Sequence, residues 1–363
     1  MDSRCKMPGP RVHGGVLAGL GGGLAVELAA AGVKPGEVLD FSVNVNPYGP
    51  CPAVVEAIRN APVHLYPDPV ATAVRQSIAA RTAARVESVV FGSGAADLLW
   101  TLARVLLAEG SRALVVEPAF SEFRAAVEAV GATPCSWRAR PEHGLTVDLA
   151  AVARRAERAR AAVIYASAPT TPAGVAVPLA AIADLARRLP EVLVLLDESF
   201  LSLSDQSAEA ALPMPANVLR LRSMTKEHAI PGLRAGYLLA PPALARAVEA
   251  GRPAWSTSGV AQAAAMAALA AGDFVAASRA RLRLDRQATA AALVALGLAP
   301  IPSVAPYLVF RVRDTEGLRR RLLSHRILVR DCSSFGLPGF IRVAARPAPE
   351  RVRLVAALEE ELR

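Results

Sequence analysis

Beyond residue 34 the chain keeps a single lysine, Lys226. Of its 41 basic residues only Lys6, Lys34 and Lys226 are lysines, and the other 38 are arginines. Arginine replaces lysine on a solvated face, but its guanidinium stays protonated and cannot serve as an amine nucleophile. Lys226 lies in Ser223-Met-Thr225-Lys226-Glu-His-Ala-Ile-Pro231-Gly-Leu-Arg234-Ala-Gly-Tyr237, with hydroxyls three and one residues before it and an arginine eight after. A nucleophilic amine beside hydroxyl and guanidinium groups that hold a phosphate is the set that pyridoxal phosphate needs. The alternative is a surface lysine in a loop, and the flanking groups speak against it.

Three further stretches could carry chemistry. In Val89-Val-Phe-Gly-Ser-Gly94-Ala95-Ala96-Asp97 a strand runs through a glycine turn into a helix. Such a helix start offers free N–H groups and a positive dipole end to an anion. It also reads as an ordinary strand–helix junction with Asp97 capping the helix or complementing its dipole. In Val192-Leu-Val-Leu-Leu-Asp197-Glu198-Ser-Phe200 a carboxylate ends an apolar strand, where α/β sheets bind ligands. An aspartate capping the next turn is equally open. In Arg330-Asp-Cys-Ser-Ser-Phe-Gly-Leu-Pro-Gly-Phe-Ile-Arg342 two arginines could fork a carboxylate across a cleft, or they could be surface charges. The five histidines lack metal-ligand spacing, and no GxSxG, Walker or GxGxxG-plus-acid pattern appears. His13-Gly-Gly15 stands out near the N-terminus, although its default reading is a turn with an exposed histidine.

The elements that must position these groups follow from the hydrophobic pattern. Strands are expected over Ser88–Phe91, Ala113–Glu117, Ala162–Ala166, Val192–Asp197, Val218–Arg222 and Tyr237–Ala240. Helices fall between them, among them Asp97–Leu107, Ser121–Val130 and Leu179–Arg188. Alternation of this kind predicts an α/β fold with a mostly parallel sheet flanked by helices. Before it, Leu24–Ala31 reads as a short helix, and Phe41–Pro50 alternates and then turns. After Pro241-Pro242 comes a long Ala/Arg helical region, Ala243–Leu296. The tail returns to strands (Tyr307–Val312, Ile327–Arg330, Phe340–Ala344) and a last helix, Ala348–Leu362, which predicts a smaller α+β domain. The expected division is an arm at 1–44, a large cofactor-binding domain at 45–245 and a small domain at 246–363.

Composition narrows the class. The chain has 363 residues, 53% hydrophobic and 20% charged, which excludes a disordered or fibrous protein and allows a large core. Despite a mean hydropathy of +0.33, no stretch of ~18 residues is free of charges and turn signals, so no membrane span is expected. Cysteines at 5, 51, 135 and 332 form no CxxC pair, and the N-terminus lacks the apolar run of a secretory signal. Both point to a reducing, cytoplasmic setting. A net charge of +9 would suit a nucleic-acid binder. The arginines, however, are scattered along helices among alanines and glutamates, as in Ala151–Ala161, which reads as a coding bias rather than a basic face.

Together the motifs resemble the fold type I, aspartate-aminotransferase-like pyridoxal-phosphate enzymes, and within them the threonine-phosphate decarboxylase and histidinol-phosphate aminotransferase group. The resemblance runs from about His13 to Arg346. It implies that Lys226 holds the cofactor as a Schiff base and that Asp197 pairs with the pyridine nitrogen. Phe120 would stack on the ring. The Ala95 and Ala96 amides, the Gly94 turn, Ser223, Thr225 and Arg234 would hold the phosphate. Tyr66 would reach the phosphate of the other subunit, which implies a homodimer. Arg342 would bind the substrate carboxylate, with Arg330, Asn46 and His13 on the substrate side.

Two departures from the family pattern concern the ring hydroxyl. Its usual asparagine is replaced by Thr171, in Ala168-Pro-Thr-Thr171-Pro-Ala-Gly174, and its usual tyrosine by Phe200. The His-Gly-Gly arm and Phe200 resemble the decarboxylase branch and imply decarboxylation of a phosphorylated amino acid, as in cobalamin biosynthesis. Asn46–Pro50 and Arg330–Phe335 fit an aminotransferase of the histidinol-phosphate kind. A third alternative is a specialised-metabolism enzyme using the same carbanion chemistry.

Overall fold

A computed structural model of the chain describes residues 25–30 and 32–362. After the helix Ala25–Ala30 a two-residue strand, β1 (Leu39–Asp40), precedes the main sheet. Seven strands then alternate with helices: β2 (Val89–Gly92), β3 (Arg112–Glu117), β4 (Thr133–Arg138), β5 (Val163–Ser167), β6 (Leu193–Asp197), β7 (Val218–Ser223) and β8 (Gly236–Leu239). They form one sheet in the order β2-β8-β7-β6-β5-β3-β4. Every pair from β7 to β4 is parallel, and β8 runs antiparallel to both neighbours. The mostly parallel sheet expected from the sequence is therefore present.

Residues such as Ile164, Tyr165, Leu195 and Leu196 are fully buried on both faces of the sheet, as covered parallel strands require. Helix Gly94–Leu106 packs Leu98, Leu99 and Leu102 into the same core. β4 was not expected. It is an edge strand of half-exposed residues with a proline at its second position, so it lacks the apolar run that marks its neighbours.

The expected long helical region is three helices, Pro242–Ala250, Gly259–Ala270 and Phe274–Ala295, broken at Gly251 and Gly272. No single described helix is long and apolar enough to cross a membrane; the last two, bent by 77°, pass that test only as a pair. Four short strands follow: β9 (Tyr307–Arg311), β10 (Ile327–Leu328), β11 (Arg330–Asp331) and β12 (Phe340–Ala344). The strand expected over Ile327–Arg330 is thus split at Val329. β11-β12-β9 is an antiparallel sheet, while β1 pairs in parallel with β10. Phe41, next to β1, is buried among Leu308, Phe310, Leu318 and Leu354, which ties the N-terminal segment to the C-terminal unit. Beyond it, Phe41–Pro50 forms no strand.

Helix Gly259–Ala270 buries Ala264, Ala265 and Ala268 against Val74, Ile78 and Phe91. It packs with the larger unit, so we propose a domain division nearer Gly272 than the expected residue 246.

Candidate active site

A cavity of about 280 Å³ opens where β6 and β7 end, facing the small sheet. It lies outside the carboxyl ends of parallel strands, where adjacent connections diverge and leave a crevice. Lys226 is on its wall, in the single helical turn Met224–Glu227 that β7 runs into. Its Nζ donates to Ser223 Oγ at 3.1 Å and lies 5.8 Å from the centre of the Phe200 ring. Burial lowers the amine's pKa from 10.5 to about 8. The Asp197 carboxylate opposes that shift, and the Arg234 and Arg342 guanidiniums reinforce it.

Asp197 ends β6 and is buried on the same wall. Tyr165 of β5 donates its hydroxyl to Oδ2 at 2.9 Å, and the Ser199 amide donates to Oδ1 at 2.9 Å. The phenol's pKa is pushed well up by burial and by this carboxylate, so it stays a donor. The next residue, Glu198, is engaged elsewhere. Its oxygens lie 2.7 Å from Arg220 Nη2 and 2.6 Å from Arg222 Nε of β7.

The helix start expected to hold an anion is at one end of the cavity. Ala95 and Ala96 line it beside Thr225 and Arg234. Thr225 and Ser223 share a hydroxyl hydrogen bond of 2.7 Å. Asp97 accepts from the Ser93 amide at 3.1 Å, so it caps this helix turn. Gly94 is behind the wall: a Cβ there would come within 2.9 Å of Arg234 Nη2. Arg234 donates to the Pro231 carbonyl and has no carboxylate partner among the described residues. Free amides, two hydroxyls and an unneutralised guanidinium fit a phosphate. With Asp197 and Lys226 alongside, the residues fit a phosphate-bearing pyridine ring.

Phe120, Thr171 and Phe200 also line the cavity. Arg330 and Arg342 complete it from the small sheet, where they are directly paired across β11 and β12 and so share a face. Both are buried and neither has a carboxylate partner among the described residues. Arg342 Nη2 donates to the Ser42 carbonyl at 3.0 Å and Arg330 Nη2 to Ser334 Oγ at 2.8 Å. With its amide oxygen turned inward, Asn44 accepts from Arg342 Nη1 and Nε at 3.3 and 3.2 Å. Burial and the neighbouring Arg342 lower the pKa of Arg330 to about 10; burial lowers that of Arg342 as well.

Besides Gly94, three described site residues are not on the cavity wall: Ser223, which reaches it only through its hydrogen bonds to Thr225 and Lys226, Asn46 and Tyr66. Asn46 is buried and committed to the backbone of the lysine turn: its amide donates to the Lys226 carbonyl and its Nδ2 to the Glu227 carbonyl. A side chain spent in this way holds the turn and does not face substrate. Tyr66 is 84% exposed and packs on Trp255 with ring centres 5.1 Å apart, away from the cavity of its own chain. His13 lies outside the described residues. Sequence reasoning did not assign Asn44 or Ser42, although both stand in the Phe41–Pro50 stretch, nor Phe335. Tyr165 and Tyr307 gave no local signal, because only folding brings them to Asp197 and Thr171.

The family model for "Aminotransferase class I and II" matches residues 36–359. A histidinol-phosphate aminotransferase of Methylobacillus flagellatus is 30% identical over 344 residues, covering 92% of this chain and 91% of that protein. The structure of the Sinorhizobium meliloti histidinol-phosphate aminotransferase with pyridoxal-5'-phosphate matches with a TM-score of 0.84 and 26% identity, over 93% of this chain and 94% of that one. L-threonine-O-3-phosphate decarboxylase of Porphyromonas gingivalis (TM-score 0.78, 22% identity, 89% and 98% covered) shares the fold. So does Thermus thermophilus aspartate aminotransferase (TM-score 0.80, 23% identity, 93% and 94% covered). The chain therefore belongs to the aminotransferase class I and II family, has the aspartate-aminotransferase-like fold, and is an enzyme whose cofactor is pyridoxal phosphate.

Proposed function

We propose that the enzyme is an aminotransferase that takes the amino group from a phosphorylated amine of the histidinol-phosphate kind and gives it to a 2-oxo acid. The observation that carries this reading is the pair Arg330 and Arg342. Two buried guanidiniums face Lys226 across one cavity with no carboxylate to neutralise them among the described residues. Keeping such charges buried is costly unless an anion completes the site. A phosphate in one half-reaction and a carboxylate in the other would do so. The similarity to histidinol-phosphate aminotransferases supports this over the decarboxylation expected from the sequence.

When bound, pyridoxal phosphate supplies an electron sink that weakens the bonds at the substrate's α-carbon. The residues around it would have separate tasks. Ala95, Ala96, Ser223, Thr225 and Arg234 would hold the phosphate. Asp197, oriented by Tyr165 and Ser199, would keep a proton on the ring nitrogen, and Phe120 would cover one ring face. Lys226, whose amine is poised near neutrality, would take and return the proton at the α-carbon. We also propose a homodimer. The exposed Tyr66–Trp255 pair, with Val63 and Leu65 beside it, offers an apolar surface that a second copy would cover.

Decarboxylation of a phosphorylated amino acid is the second reading, favoured by the His13-Gly-Gly arm and by Phe200. The holoenzyme incubated with histidinol phosphate and a 2-oxo acid should yield the phosphorylated ketone and the new amino acid in equal amounts. Release of carbon dioxide from threonine phosphate, with no amino transfer from either compound, would overturn the aminotransferase reading in favour of the second.

A further inference from the structure

Thr171 is a wall residue with a neighbour that the family pattern did not suggest. The Tyr307 hydroxyl, carried on β9 of the small sheet, lies 3.4 Å from Thr171 Oγ1 and donates to the Thr170 carbonyl at 3.0 Å. Tyr307 is fully buried and does not line the cavity itself. Its ring is held edge-on to Phe200, with centres 5.0 Å apart, and Arg342 lies over it at 5.3 Å. The Thr171 amide is anchored on Ser167 Oγ at 3.0 Å, which fixes where its side chain starts.

Each of the two hydroxyls has one proton to give. With the Tyr307 proton on the Thr170 carbonyl, Thr171 can donate back to Tyr307. If the Tyr307 proton turns to Thr171 Oγ1 instead, the Thr171 proton is released toward the cavity. The Thr170 carbonyl is not abandoned by that rotation, because the Gly174 amide also donates to it at 2.7 Å. A hydroxyl that accepts one hydrogen bond becomes a better donor in the next, so the pair polarises in one direction. Phe200 has no hydroxyl to offer, whereas Thr171 carries one on the cavity wall.

We propose that Tyr307 and Thr171 form a two-hydroxyl relay through which the small sheet sets the hydrogen bond to the cofactor's ring oxygen. Tyr307 is a positioning residue in this scheme and touches the cofactor only through Thr171. Burial raises its pKa to about 12, so it carries its proton throughout the working range. Because Arg342 lies over the same ring, the substrate-binding arginine and the ring-oxygen donor are mechanically joined. The relay rests on the cofactor site proposed above.

The test is the pH midpoint of the cofactor's absorbance band in the holoenzyme, a reading independent of turnover. A donor to the ring oxygen favours the deprotonated form of the lysine–cofactor chromophore, so weakening the donor should raise the midpoint. Tyr307→Phe should raise it by about 0.5 to 1 unit, the size of one hydrogen bond's contribution. Thr171→Val should raise it at least as far, Thr171→Ser should restore it, and Tyr307→Phe should add nothing in the Thr171→Val background. An unchanged or lowered midpoint in Tyr307→Phe, or additive shifts in the double variant, would overturn the relay. Should Tyr307→Phe fail to fold, the Val and Ser variants at Thr171 carry the test: equal midpoints in the two would overturn it. Borohydride fixation of the cofactor on the Lys226 peptide is the separate check of the site. Its failure would remove the cofactor from this cavity, whereas failure of the titration alone would remove only the relay.

Discussion

Gly236→Ala is the sharpest probe of the phosphate end of the site. Gly236 opens β8, and its φ lies outside the left-handed region, so the backbone would accept a side chain there. Space is what forbids one. An added Cβ would lie 2.9 Å from the Ala95 nitrogen, 2.9 Å from the Arg222 carbonyl oxygen and 3.0 Å from the Gly94 carbonyl carbon. All three are backbone atoms, so no side chain can swing aside. Carbon contacts settle near ~3.5–4 Å, and the helix start would have to retreat from β8 by roughly 0.5 Å. Overpacking of this kind costs ~1–3 kcal/mol of folding stability. Loosening an anion at a helix N-terminus forfeits a further ~0.5–1 kcal/mol of its binding, or roughly two- to fivefold in Kd. Thermal unfolding of the apoenzyme reads the first quantity, and a fluorescence titration with pyridoxal phosphate reads the second. Gly36→Ala, where an added Cβ meets nothing within 4 Å, is the control and should match the parent in both. A Gly236→Ala protein that melts and binds like the parent would refute the close-packing argument. Lost stability with unchanged affinity would take the Ala95 amide out of the cradle.

The remaining predictions concern the lysine, the ring pocket and the assembly. Burial disfavours the Lys226 ammonium, so the neutral amine of the apoenzyme should appear through a midpoint of about 8; the rate of cofactor capture should rise through that pH and then level, and a midpoint above 10 would contradict the burial. Phe200→Tyr should lower the absorbance midpoint of the holoenzyme by adding a donor, as should Thr171→Asn, and no shift in either would place the ring oxygen elsewhere. Trp255→Arg puts a charge on a half-exposed aromatic beside Tyr66 and should shift light-scattering mass toward the monomer with loss of activity; a fully active monomer in the parent protein would dismiss the dimer.

The strands that build the site were readable because they are buried on both faces. Val163–Ser167 and Leu193–Asp197 are apolar up to their last residue, and their observed bounds lie within a residue of those expected. Thr133–Arg138 was not readable, because an edge strand with one proline and half-wet residues has neither an apolar run nor strict alternation. The breaks in the Ala/Arg region were obscured by the uniform helix propensity of alanine, which does not mark where one helix stops. In the site, Lys226, Asp197 and the glycine turn were legible as local patterns. Asn46 was legible as a motif residue but not as a brace for the lysine turn, since that role depends on a contact 181 residues away in the chain. Tyr307 meets Thr171 across 136 residues and belongs to the same class.

Asp197 and Glu198 are adjacent acids with separate surroundings, and strand parity keeps them separate. Successive side chains at the end of a strand point to opposite faces, while Arg220 and Arg222, two apart on β7, point to one. Both arginines therefore meet Glu198, and among the described residues no arginine or lysine lies within ion-pair distance of Asp197. Glu198 acts as a decoy that absorbs two cations next to the cavity. The charge of Asp197 is left available, with a phenol and an amide to steer it and no resident cation to spend it on. Exchanging the two acids would keep composition, net charge and hydropathy unchanged, yet it would put the longer side chain in the cavity and the shorter one under the arginines. A one-residue insertion in β6 would go further and turn the decoy toward the cofactor, with the aspartate handed to Arg220 and Arg222.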